Sequence, residues 1–151
     1  MRKVAAGVVY FLLMFAVGWI LGPIRELWAV PHLGRVEATL LEAIIILIAM
    51  VVATRWVIRR FEVPQATPAT IAIGLVALGL LTPAEIAGVV FVRELSLQDY
   101  FSSFLTAPGM ISLVMFLLFA AMPTLITLST RGRLVGFKAK TPWNVDDHRD
   151  H

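Results

Sequence analysis

The sequence predicts an all-α bundle of four membrane-spanning helices with both termini in the cytoplasm. Three observations carry that prediction. First, the 151-residue chain is 59% hydrophobic and 15% charged, against about 45–50% apolar and about 25% charged in a typical soluble domain. Second, the apolar excess is gathered into four runs, 4–22, 38–58, 69–92 and 107–128. Each is close to the ~20 residues that cross ~30 Å of hydrocarbon. Third, Lys and Arg alternate between the run ends. Arg2 and Lys3, then Arg55, Arg59 and Arg60, then Arg131, Arg133, Lys138, Lys140 and Arg149 fall on one side, against Arg25, Arg35 and Arg93 on the other. Basic residues are retained in the cytoplasm, which puts both termini there and the first and third connections outside.

The first run follows Met1-Arg2-Lys3, as the core of a signal peptide would. Its roughly 19 apolar residues exceed the about 7–15 of such a core, and no A-x-A cleavage site follows, so an uncleaved helix is expected. Within it, Gly18 to Gly22 form a G-x-x-x-G pattern, which permits close helix approach. Pro23, Arg25 and Glu26 come next. If the helix continues past Pro23 to about Ala29, then Gly7, Gly18, Gly22, Arg25 and Ala29 lie within about 40° of one line. His32, in AVPHLGR, is expected in the loop that follows, as a surface residue or a proton acceptor.

The second run carries Glu42 on a stripe with Ala38, Ala49 and Ala53. Trp56, beside Arg55, Arg59 and Arg60, has the character of an interfacial anchor, as does Trp28 at the other surface. Thr67-Pro68 opens the third run as a helix N-cap with Pro at the first helical position. That run contains Pro83 and Glu85, with Gly74 on the same face as Glu85 and Gly88 about 60° round. In the third connection, Ser96–Asp99 (SLQD) has capping-box spacing. Leu97, Tyr100, Phe101, Phe104 and Leu105 then recur at helical spacing, predicting a short amphipathic helix on the outer surface. The alternative is an ordinary loop tucked against the bundle. Thr106 and Pro108 open the fourth run.

Residues 1–131 therefore make one transmembrane domain, and 132–151 a polar cytoplasmic tail with no apolar period, expected to be disordered. Its end, DDHRDH, contains Asp146, Asp147, His148, Asp150 and His151, which could hold a divalent ion weakly; a solvated end is the expected reading, and no metal is assigned.

Depth follows from helix rise. Glu42 lies about 6 Å past Ala38 and Glu85 about 10 Å short of Val92, so the two carboxylates share a level in the outer half of the bilayer. An unpaired charge at mid-membrane costs roughly 2.5–3.5 kcal/mol or more. Protonating a glutamate at pH 7 costs about 3.7 kcal/mol. The costs are similar, so a nearby cation decides the protonation state. Arg25, which keeps its proton, is the expected partner of Glu85. Arg25, Glu42 and Glu85 thus form the expected buried polar layer, either binding and relaying a proton or cation or fixing helix register. Glu26, His32, Arg35 and Arg93 are further contributors.

Several chemistries are not represented. With 0 cysteines there is neither disulfide nor thiol chemistry. No Walker, zincin or nucleophile-elbow motif occurs. Only His32 lies near a span, too few for a bis-histidine haem, and no lysine lies within one. Ser112 has no base near it in sequence. No catalytic residue or cofactor is assigned, and clustering of the basic residues at helix ends argues against nucleic acid. The stretch Gly22–Ala49, with its Pro/Arg helix exit, Pro-x-x-Gly loop and early glutamate, resembles small uncharacterised bacterial inner-membrane proteins with four predicted spans. The resemblance covers about a fifth of the chain and implies a bacterial inner-membrane location without an activity. The expected function is that of a non-enzymatic subunit or accessory protein. Besides the lipid bilayer, its partners would be itself or another membrane protein met through small-residue helix faces. The alternative is a small oligomeric transporter or channel-like carrier that uses its outer-leaflet carboxylates for proton or cation coupling.

Overall fold

The computed structural model describes residues 2–64, 67–88, 90 and 96–138, with side chains to Thr130. Every element described is helical. Helix α1 (Arg2–Ile24) passes through Pro23 into a π-helical turn at Arg25–Ala29, and then into the short α2 (Val30–Leu33). The first span therefore runs without a break past Ala29, to Leu33. Proline supplies no backbone N–H, and wider i→i+5 bonding downstream accommodates the lost bond; Val30 N–H donates to the Arg25 carbonyl. His32 is thereby placed in helix rather than in the expected loop. The chain reverses at Gly34, whose φ of 92° is a conformation that a side chain would strain.

Helix α3 (Arg35–Arg60) starts slightly earlier than the apolar run, and α4 (Thr67–Ala87) continues in π geometry at Gly88 and Val90. Pro23 in α1 and Pro83 in α4 are each followed, further along the same continuous helix, by π geometry. Helix α5 (Leu97–Ser103) is the short helix expected from SLQD: Ser96 Oγ accepts from Asp99 N–H at 3.1 Å and donates to Asp99 Oδ2 at 2.6 Å. Helix α6 (Ala107–Lys138) is capped by Thr106 Oγ1, which accepts from Gly109 N–H at 3.3 Å. It runs beyond Leu128 into the segment read as tail; residues 139–151, with the DDHRDH end, lie outside the described residues.

Among the described residues, four helices are long and apolar enough to cross a membrane. Helix α1 packs on α3 and α4, and α6 packs on the same two, giving a ring in the order α1, α3, α6, α4. Large apolar side chains such as Leu12, Ile44, Ile48, Leu75 and Leu117 face outward. That surface suits lipid, where helices associate through close packing and polar contacts, not through exclusion of water. The core is correspondingly built from small residues and a few rings. Ala6, Ala69 and Ala77 are buried, and Tyr10 stacks on Phe119 across the ring at 4.7 Å, its hydroxyl donating to the Phe119 carbonyl at 3.3 Å.

Among the spans, α1 and α4, and α4 and α6, approach closely at Gly7 and Gly74. A Cβ on Gly7 would stand 2.8 Å from Val76 Cβ, and one on Gly74 would run into the Ala120 carbonyl. At Gly18 and Gly22 an added Cβ would meet nothing within 4 Å. The G-x-x-x-G pattern therefore does not mark a helix contact here. Missing side chains on that face leave space, and that space is the main cavity.

Candidate functional site

The cavity has a volume of about 340 Å³ and opens among all four spans at the end opposite the termini. Gly18, Gly22 and Arg25 line it from the first span, which is the face expected from helical phase; Ala29 is buried but does not reach it. Glu42 and Glu85 line it as well, so the three residues of the expected polar layer do converge. Glu26 and Arg35 join them.

Arg25 organises the layer. Its Nη1 donates to Glu42 Oε2 at 2.6 Å and its Nη2 to Glu26 Oε1 at 2.8 Å. The side chains of Arg25 and Glu42 are only 16% and 12% exposed, so the pair is largely withdrawn from solvent. The expected pairing of Arg25 with Glu85 is thus corrected: among the described residues, the carboxylates that pair with Arg25 belong to Glu42 and Glu26. The reason is geometric. Gly34 turns α3 back directly beside the end of the first span, so Glu42 lies on a neighbouring helix, and Glu26 shares the π turn with Arg25. Glu85 reaches the cavity from α4.

His32 does not contribute to the cavity wall. Its Nδ1 lies 2.7 Å from the Trp28 carbonyl, which it meets as a donor in the Nδ1–H tautomer, and its ring stacks on Trp28 at 5.4 Å. Arg93 lies outside the described residues. Ser112 lines the cavity, with its hydroxyl donated to the Pro108 carbonyl at 3.1 Å. No group of three or more His, Cys, Asp or Glu suited to a metal ion occurs among the described residues.

No protein-family model, curated protein or solved structure matches the chain. The cavity must therefore be interpreted from its own chemistry.

That chemistry is graded with depth. The polar groups of Arg25, Glu26, Glu42 and Glu85 ring the outer part. Met14, Met50, Met115 and Phe119 line the inner part, about 16 Å deeper by the helix rise from Met14 to Arg25. Methionine side chains are flexible and adapt to irregular ligands. The volume falls in the ~300–1,000 Å³ range of small-molecule sites, as does an apolar lining with a few convergent polar groups.

Two contributions to the site were missed in the sequence. Helix α5 closes one wall with Tyr100, Ser103 and Phe104, leaving Leu97, Phe101 and Leu105 exposed. It is held there by Gly109, where a Cβ would run into the Ser103 carbonyl. The other missed wall is α6, through Ser112, Met115, Phe116 and Phe119. The Pro108-Gly109 pair was the available signal, since an invading backbone explains a buried glycine at a helix start.

Proposed function

We propose that the protein is a small carrier of a bacterial inner membrane, with both termini cytoplasmic, that accepts a solute in the outer cavity and couples it to a proton or cation through the Glu42–Glu85 layer. The supporting observation is the cavity: about 340 Å³ of space among four spans reaches both carboxylates. An ion pair serving register alone needs no such space. The topology rests on the Lys and Arg distribution, and the bacterial location on the resemblance of Gly22–Ala49.

A second reading, a non-enzymatic accessory subunit, is favoured by the Arg25–Glu42 contact at 2.6 Å, because well-paired buried ions also serve to fix helix register. Proton flux separates the two. In proteoliposomes carrying a potassium diffusion potential, the carrier moves protons faster than empty liposomes, and Glu85→Gln removes most of the excess. Wild-type flux equal to that of empty liposomes would sink the coupling and leave the accessory-subunit reading.

A further inference from the structure

A second, smaller cavity of about 130 Å³ adjoins the first. It lies between α4 and α5, and Leu81, Glu85, Tyr100, Phe104 and Phe116 line both cavities. Its other lining residues are mostly apolar, including Leu78, Ile86 and Phe101. Two spaces that share so much wall form one bent site: a polar chamber around Arg25, and a mostly apolar arm between α4 and α5.

Charge decides what the polar chamber holds. Arg25 is flanked by two carboxylates, Glu42 and Glu26, and with Arg35 and Glu85 the charged lining of the chamber is three carboxylates to two guanidiniums, one excess negative formal charge. The Glu26 side chain stays 38% exposed, open to a further partner. Three aromatic rings, Tyr100, Phe104 and Phe116, stand where the arm joins the chamber. Their faces attract a cation, and more strongly when the site is dry. An anionic head would meet Arg25 already paired with two carboxylates, leaving it the exposed Arg35 set against three carboxylates in the same lining.

We infer that the bent site binds a lipophilic organic cation, an alkylammonium whose head sits at the Glu26–Arg25–Glu42 cluster and whose chain occupies the arm between α4 and α5. The inference rests on the cavity being a solute site, and it names the class of solute. It requires no transport, so it stands or falls separately from the proton flux.

The test uses the full chain in nanodiscs, with decyltrimethylammonium and decanoate as probes of equal tail and opposite charge. Binding is measured by equilibrium dialysis and corrected by empty nanodiscs. The cation binds saturably, and decanoate at least tenfold more weakly. Glu26→Gln weakens the cation at least fivefold and narrows its preference over decanoate. Ser112→Trp fills the chamber, leaves the ion cluster intact and removes saturable binding. Equal binding of the two probes, no saturable binding by wild type, or unchanged binding in Ser112→Trp would each overturn the inference. If the cation binds but no proton flux occurs, the ligand class survives and the carrier does not. If protons flow without cation binding, the reverse holds.

Discussion

Arg25 is the residue around which the polar layer is arranged. It is a permanent cation in a membrane helix, and two carboxylates hold it at hydrogen-bonding distance. Removing one partner of a buried ion pair leaves the other charge uncompensated, at a cost of about 3–5 kcal/mol, whereas replacing both by apolar groups of similar size is often neutral. Glu42→Leu leaves Arg25 paired with Glu26, whereas Arg25→Leu strands the buried Glu42; Arg25→Leu should therefore destabilise the protein by about 3 kcal/mol, and the double variant Arg25→Leu/Glu42→Leu should recover at least half of that loss. Reversible unfolding in mixed micelles measures both. If the double variant is as unstable as the single, the pair stabilises by more than mutual neutralisation. The convergence of Glu42 and Glu85 on one cavity was legible in the sequence, because position along a helix is a count of residues times a fixed rise. The choice of partner was not. It depends on how closely Gly34 folds α3 against the first span; the extra residue of the Arg25–Ala29 π turn shifts the phase only beyond Arg25, and Ala29, expected on the same face, does not reach the cavity.

At the scale of elements, the glycines divide into two kinds that sequence spacing does not distinguish. Gly74 lies against the Ala120 carbonyl, where a methyl group would force α4 and α6 apart. Gly18 and Gly22 border open space. Overpacking a tight contact costs about 1–3 kcal/mol, so Gly74→Ala should lower stability by about that much. Gly18→Ala meets no clash and gains helix propensity, up to about 1 kcal/mol over glycine, so its stability should hold or rise while the cavity narrows. Thermal melts of the two variants in one detergent make the comparison; a Gly18→Ala variant as destabilised as Gly74→Ala would show that the first span contacts another surface there. Helix α5 gives a companion case. Gly109→Ala pushes on the Ser103 carbonyl, so it should loosen α5, exposing its Ser103–Phe104 end to proteolysis at concentrations of protease that spare the wild type. The existence of α5 was legible from its capping residues. Its role as a cavity wall was not, because docking is set by a backbone approach on another helix.

For the molecule as a whole, the ring order α1, α3, α6, α4 places first and third spans side by side, running in the same direction. Four apolar runs and their alternating charges determine how many spans there are and which ends lie together, but several ring orders satisfy both. The order is fixed by contacts such as Gly7 on α4 and Gly74 on α6, which close the bundle at the end bearing the termini. The opposite end remains open around Arg25, so the cavity faces that side. On the proposed topology, with the termini in the cytoplasm, that side is external. The absence of native cysteine makes this testable with single thiols. In intact spheroplasts, an impermeant methanethiosulfonate should modify Ser112→Cys, which lines the cavity, and leave Lys3→Cys unmodified until the membrane is permeabilised. Leu113→Cys, on an outward apolar face 45% exposed in the isolated chain, should stay unreactive in both conditions because lipid covers it. Labelling of Lys3→Cys before permeabilisation, with Ser112→Cys protected, would invert the topology and turn the cavity toward the cytoplasm. Modification of Leu113→Cys as fast as Ser112→Cys would mean that water, not lipid, surrounds α6.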